Sequence, residues 1–274
     1  CGFLEIMEIF GILNITTDSF SDGGLYLEEN SAREKAISLF GEGADIIDIG
    51  AQSSNINAKP INYNEEIERI QSVLPYLQDR KIRTSIDTFR PEVIEFAIES
   101  NVDYINNIRA FSDSTSLEIL KKSAHTLPDL ILMYSHNSGE KASEKSTLHP
   151  DKVMDDIYRF LDVHRKRLIS AGVPETKLIF DPGMGMFLGP DPELSFKVLK
   201  NISEFKKEFG RILVSVSRKS FIGAVLNMVP PEKREIGSLA LEIYLAESGV
   251  DFIRTHNPKI LREALTVRSR LISG

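Results

Sequence analysis

Leu178 to Gly189 reads LIFDPGMGMFLG. The apolar run Leu178-Ile179-Phe180 stops at Asp181, and Pro182-Gly183 follows. This is the pattern of a buried strand ending at a carboxylate, then a loop whose glycines let the backbone pass close to a ligand. An ionised carboxylate is acceptor-only and can take two neighbouring N–H donors side by side. A strand-end Asp facing a glycine loop therefore suits a flat, polar heterocycle. Taken alone, Asp181 would serve as well as a cap on the next turn. What separates the two readings is recurrence, because strand, polar residue and glycine-bearing loop return along the chain.

The first strand, Glu8 to Ile15, reaches Asn14 and opens into the polar loop Thr16 to Gly24, with Phe20 its one large apolar residue. Ser31 is placed to cap a helix through about Phe40. Asp45 to Gly50 reads as a second strand with Asp48 inside it, a position where a carboxylate needs a partner or a role. A second loop, AQSSNINAKPINYN, leads to a helix over about Glu65 to Leu77. Arg83 to Asp87 and Tyr104 to Ile108 read as the next strands, with helices from Pro91 and over Ser114 to Ala124. Leu130 to Ser135 is a fifth strand, followed by the polar loop His136 to His149 and an amphipathic helix over Asp151 to Ser170. After the sixth strand, Leu178 to Gly183, a helix runs from Asp191 to about Lys207. Arg211 to Ser217 is a seventh strand, running into Arg218-Lys219-Ser220. A helical region over about Lys233 to Glu247, an eighth strand at Asp251 to His256 and a helix from Pro258 to about Leu271 complete the pattern.

Eight strands alternating with helices predict a parallel sheet covered by helices. Eight such units in 274 residues match a single-domain α/β (β/α)8 TIM barrel over residues 1–274, a fold that takes about 250 residues. An open doubly wound sheet is the alternative, but no GxGxxG turn follows the first strand. The net charge of −7 gives no general field for nucleic acid, so an anion site has to be local. The single Cys, at position 1, excludes an internal disulfide or cysteine metal cluster. No apolar run nears the roughly 18 residues of a membrane span and no signal peptide is visible, so a cytoplasmic location is the expectation.

In this fold the C-terminal strand ends share one face, and that face carries the chemistry. Asn14, Asp48, Asp87, Asn106, Asp181, Lys219, Arg254 and His256 all fall there. Burying eight polar groups without a ligand would be costly. Asp87, Asn106 and Asp181 offer a hydrogen-bonding edge for a heterocycle. Lys219, Arg254 and His256 are expected to form a cationic cluster suited to phosphate or pyrophosphate. Asn14, with Asp18 and Asp22, offers oxygen ligands to Mg2+.

The segments GILNITTDSFSDGG, SIDT, INN, DPGMG, SRKSFIG and RTH occur in the order and spacing of dihydropteroate synthase, which the chain resembles from residue 11 to residue 256. That family joins 6-hydroxymethyl-7,8-dihydropterin pyrophosphate to p-aminobenzoate in folate biosynthesis and is the target of sulfonamides. The resemblance implies a pterin site of Asp87, Asn106, Asp181, Lys219 and Arg254. It implies a pyrophosphate site of Asn14, Ser54, Arg254 and His256, with Mg2+ at Asn14. Phe20, Ser54, Phe187, Lys219 and Ser220 are implied at the p-aminobenzoate site, with Met186 as the alternative to Phe187 for its apolar wall. Lys219, Arg254 and Asp22 are the implied catalytic groups. The two substrates are small molecules; no nucleic acid or membrane partner is expected. A homodimer is expected by resemblance, and the Cys1 start is compatible with fusion behind a pyrophosphokinase domain.

Four departures stand out, one of them the family's MHMQG, which reads MYSHNSG here. The family's GGESTRPG reads GAQSSNINA, so Asn55 and Ile56 replace Arg and Pro; a lost charge-assisted contact is worth about 1.5–3 kcal/mol. IND reads INN, placing Asn107 where Asp is usual. The Lys of GFGK is absent from GMGMFLG. Two other readings share the barrel: a pterin-binding methyltransferase domain with a corrinoid partner, which would not need SRKSFIG and RTH, and a non-catalytic pterin-binding paralogue.

Overall fold

The computed structural model describes residues 7–15, 25–52, 61–136 and 147–272. In chain order these form β1 (Glu8–Asn14), α1 (Leu25–Gly41), β2 (Ile46–Gly50), α2 (Tyr63–Gln71), α3 (Leu74–Gln78), β3 (Arg83–Asp87), α4 (Pro91–Glu99), β4 (Tyr104–Asn107), α5 (Ser114–Lys122) and β5 (Asp129–Met133). They continue with α6 (Val153–Ser170), β6 (Leu178–Asp181), α7 (Pro192–Lys200), α8 (Ile202–Phe209), β7 (Leu213–Val214), α9 (Ser220–Val225), α10 (Glu235–Glu247), β8 (Phe252–Thr255) and α11 (Pro258–Ile272). All eight strands are parallel, in the order β6-β5-β4-β3-β2-β1-β8-β7. A parallel bridge between Phe180 and Ile212 joins β6 to β7 and closes the ring. The fold is the (β/α)8 barrel.

Side chains alternate across a strand with a period of two, and this sets the vertical position of every site residue. Phe10, Ile46, Tyr104, Ile131, Ile179, Leu213 and Phe252 form a closed apolar layer inside the barrel. Phe10, Tyr104 and Phe252 meet edge to face, with ring centroids 5.0–6.1 Å apart. Below this layer, ion pairs such as Arg211–Asp129 at 2.7 Å and Lys206–Asp251 at 2.5 Å ring the N-terminal end, the face that serves stability in this fold. Two residues further along each strand the inward positions become Ile12, Asp48, Asn106, Met133, Asp181, Ser215 and Arg254. In β3, Ser85 pairs in register with Tyr104 and Asp87 with Asn106. The barrel is therefore apolar below and polar at its C-terminal mouth, one step of the pleat apart.

Several boundaries differ from the sequence reading. The first helix begins at Leu25, so Ser31 lies inside it rather than capping it. The helix expected over Glu65 to Leu77 is two: Asn62 caps α2 through Glu65 N–H, and Pro75, which has no N–H to offer, sits in the first turn of α3. The helix from Asp191 breaks at Asn201 into α7 and α8. The seventh strand shrinks to Leu213–Val214 because the residues beyond it leave the ladder: Ser215 Oγ donates to the Arg254 carbonyl (3.1 Å) and Ser217 Oγ turns to His256. The six-residue α9, directly after Lys219, was not foreseen.

Candidate active site

Arg254 occupies the middle of the mouth. Its Nε donates to Asp48 Oδ2 at 2.5 Å and its Nη2 to Asp87 Oδ2 at 2.7 Å. Asp48 is fully buried, and a buried charge is tolerable only when paired; Arg254 is the partner that the sequence required of it. Burial works against the charge on Arg254, but Asp48 and Asp87 outweigh it and push its pKa up. Burial likewise raises the Asp87 carboxyl, against the pull of Arg254.

Asp181 is buried across the barrel. Burial pushes its carboxyl up to about 6, opposed by the Gly183 N–H, which donates to Oδ1 at 2.8 Å, and by Lys219 and Arg254. The DPG turn works only with glycine at 183: φ is +69° and a Cβ would lie 2.2 Å from the Tyr134 carbonyl oxygen. Asn106 Oδ1 and Asp48 Oδ1 are buried and have no protein hydrogen-bond partner among the described residues. A buried acceptor without a partner needs a donor from elsewhere, and at Asn106 a heterocycle with adjacent N–H groups would suit.

Lys219, the N-cap of α9, holds its Nζ 4.8 Å from the centroid of the Phe187 ring. Burial, then Arg254, lowers its pKa to about 8, while Asp181 and Asp87 oppose the shift. Phe187 packs with Phe89, Ile108 and Met133 in an apolar cluster at the mouth, so Phe187 is the residue that meets Lys219. Ser220 opens α9 beside Lys219. Asn14 is exposed at the end of β1. Its Oδ1 is 3.4 Å from where a Gly50 Cβ would lie, and Asp87 is 3.8 Å from the same point, so Asn14 and Asp87 flank one bare strip of backbone.

The expected cationic cluster needs correction. Burial, then Arg254, Arg218 and Lys219, lowers the His256 pKa to about 3, so this imidazole is neutral. The His256 backbone N–H donates to Ser217 Oγ at 3.2 Å, and Nδ1 of the ring lies 3.0 Å from the same oxygen. Ser217 Oγ thus holds both the backbone and the ring of His256 and sets the direction in which the imidazole faces. Arg254 is meanwhile matched by two carboxylates. Arg254 is therefore a fixed dipolar element, and Lys219 adds positive charge at the mouth. Asn107, where the family pattern has Asp, accepts from Arg109 N–H (2.8 Å) and Phe111 N–H (3.3 Å) through Oδ1. The turn uses an acceptor oxygen, which Asn keeps. Phe20, Asp18, Asp22, Ser54, Asn55 and Ile56 lie outside the described residues.

Sequence reasoning missed Ser217, which orients His256, and the closeness of Gly183 to Tyr134. The spacing of SRKS to RTH carries no signal for the first, and only the packed loops reveal the second. Among the described residues no group of three or more His, Cys, Asp or Glu side chains is arranged to hold a metal ion, and no helix is long and apolar enough to cross a membrane.

Acceptor-rich polar groups at the C-terminal mouth of a (β/α)8 barrel, with Lys219 and the clamped Arg254 among them, are the setting of an enzyme site for a polar heterocycle. The family model described as pterin binding enzyme matches residues 10–256. The chain is 42% identical to dihydropteroate synthase type-3 of Escherichia coli over 96% of its own length and 99% of that protein's. It also superposes on the Xanthomonas albilineans dihydropteroate synthase solved with 4-aminobenzoic acid (TM-score 0.87, 29% identity, 99% and 95% of the two chains). The Yersinia pestis dihydropteroate synthase, solved in a sulfonamide drug complex, gives a TM-score of 0.86 at 34% identity over 99% and 96%. The chain belongs to the pterin-binding enzymes and, within them, to the dihydropteroate synthases, transferases of folate biosynthesis.

Proposed function

We propose the following division of labour for the condensation of 6-hydroxymethyl-7,8-dihydropterin pyrophosphate with p-aminobenzoate. The observation that carries it is the clamp on Arg254, which fixes one guanidinium against the carboxylate edge formed with Asp87. Asp87, Asn106 and Asp181 receive the N–H donors of the pterin, Lys219 contacts it from the N-cap of α9, and Arg254 packs on its ring. The methylene C–O bond breaks, and its electron pair leaves with pyrophosphate. The arylamine nitrogen then attacks the methylene carbon and passes a proton to water. Arg254, the imidazole of His256 and the amide of Asn14, with Ser54 by resemblance, stabilise the leaving pyrophosphate. Phe187, Lys219 and Ser220 border p-aminobenzoate, joined by resemblance by Phe20, Ser54 and the loop residue Asp22. The amine is already a nucleophile, so the site needs no strong base.

Asn14 exposes a hard amide oxygen at the mouth, a donor that fits Mg2+, which binds proteins through few ligands alongside substrate phosphates. Mg2+ held there would neutralise charge on the pyrophosphate. The reading also takes the chain as a homodimer, for which sedimentation near twice the chain mass is the test.

The deciding experiment is pyrophosphate release from dihydropterin pyrophosphate with and without p-aminobenzoate, in wild type and Lys219→Ala. Release that requires the amine, yields dihydropteroate and falls about 100-fold in the variant supports these roles. A wild-type rate unchanged by EDTA removes Mg2+ from the scheme. Pterin binding without any release would favour the non-catalytic reading.

A further inference from the structure

The turn that presents Lys219 is unusual. Arg218, directly before it, has φ +58°, a left-handed conformation that costs a non-glycine residue roughly 1–2 kcal/mol. Both of its backbone groups are taken up by residues at the start of α10. Its N–H donates to Ser238 Oγ at 2.9 Å, and its carbonyl accepts from Arg234 Nη1 at 2.9 Å. Arg234 Nε donates to the Val229 carbonyl at 2.9 Å, and Ser238 Oγ donates in turn to the Arg234 carbonyl at 2.8 Å. The guanidinium lies on Gly223 of α9, where a Cβ would come within 2.5–2.7 Å of Nε, Cζ and Nη2. Arg234 thus ties the start of α10 to the turn on one side and to the bare face of α9 on the other, and Lys219 and Ser220 lie between those two points.

We propose that Arg234 is a positioning residue: lying on Gly223 and holding the Arg218 carbonyl, it fixes the turn that aims Lys219 and Ser220 into the active site. This rests on the roles assigned above to Lys219 and Ser220. It also gives the glycine of SRKSFIG a physical reason, since any side chain at 223 would displace the guanidinium. A guanidinium suits the task because its planar fork donates in two directions at once, which an ammonium on a flexible stem does not reproduce.

The test compares Arg234→Met, Gly223→Ala and Arg234→Lys with wild type. Lys219 is acetylated with acetic anhydride across a pH series and the modified peptide quantified by mass spectrometry, which reports its apparent pKa. KM for p-aminobenzoate, kcat and thermal melting are measured in parallel. In the folded wild type Lys219 faces Arg254 and the neutral His256 from β8, Asp181 from β6 and Asp87 from β3. A relaxed turn brings its amine into water and moves its pKa upward toward the ordinary lysine value. The expected result for Arg234→Met and Gly223→Ala is an upward shift of about one unit and a rise in KM of about tenfold, with Arg234→Lys between them and wild type. Labelling and KM unchanged within about twofold, with only the melting temperature lowered, would overturn the proposal. If Arg234→Met fails to fold, Gly223→Ala and Arg234→Lys decide by the same two readouts. Labelling needs no turnover, so a wild type without amine-dependent release would count against the assigned reaction while the labelling still decides the positioning claim.

Discussion

Arg254 reaches across β1 to Asp48: the guanidinium on β8 donates from Nε to the carboxylate on β2 at 2.5 Å, beneath the mouth of the barrel. Asp87 takes the other side of the same guanidinium, but Asp87 faces the pocket and Asp48 is sealed from solvent. When a pterin claims the Asp87 carboxylate, Asp48 is the partner that stays.

Asp48→Asn keeps the shape and removes the buried charge. A charge-assisted hydrogen bond is worth about 1.5–3 kcal/mol, so kcat/KM is expected to fall about 10- to 150-fold. Asp48→Ala leaves a buried guanidinium one partner short and should cost about 3 kcal/mol of stability, read by urea unfolding. A rate within twofold of wild type in Asp48→Asn would show that Asp87 alone suffices.

Asp181 joins stability to binding in opposite senses. Its carboxyl is raised from an ordinary 3.8 to about 6 by burial. Between those values the folded chain keeps a proton that the unfolded chain has lost. Stability therefore falls as pH rises through the window, by up to roughly 3 kcal/mol. Asp181→Asn escapes that cost, so its melting temperature at pH 7.5 should exceed wild type by several degrees, the gap closing below about pH 4. Pterin affinity should drop at least about 100-fold in the variant, because one acceptor oxygen becomes a donor. In wild type the affinity should weaken below about pH 6, as Asp181 takes up its proton. A variant that melts lower than wild type at pH 7.5 would contradict this account.

Gly183→Ala meets the Tyr134 carbonyl at 2.2 Å with φ at +69°. The neighbour is backbone and has no rotamer to escape into. The loop must shift, carrying Asp181 with it, at a cost of about 3 kcal/mol or more. Calorimetry and pterin titration should register both losses together; a well-folded variant with normal pterin affinity would mean the turn relaxes freely.

His256 should not titrate between pH 5 and 8, since burial and the neighbouring cations hold its pKa near 3. Carbon-13 shifts of the labelled imidazole test this directly. His256→Gln, which keeps a neutral donor, should reduce kcat/KM less than about tenfold and leave the acid limb of the pH profile in place. An imidazole resonance moving with a midpoint near 6.5 would restore the cationic role that the residue type suggests.

Much of this site was legible because the barrel's rules are local. Strand-end residues of a parallel barrel share one face, so DPG, SID, INN and RTH place Asp181, Asp87, Asn106 and Arg254 together before any coordinate is known. Asp48 could be marked as needing a partner because a carboxylate inside an apolar strand is costly. Its partner could not be named: the two residues are 206 positions apart, and only closure of the ring puts β8 beside β1.

The linear pattern alone thus determined the eight-fold repeat, the face that carries the chemistry and the residue types on it. Charge states were decided in three dimensions. His256 has the sequence signature of a cation and is neutral because burial and neighbouring positive charges act together. Arg254 is neutralised twice, and the turn at Arg218 depends on Arg234 and Ser238, well downstream. Strand periodicity is written in neighbours along the chain, whereas desolvation and Coulomb energy depend on neighbours in space, and those exist only once the barrel has closed.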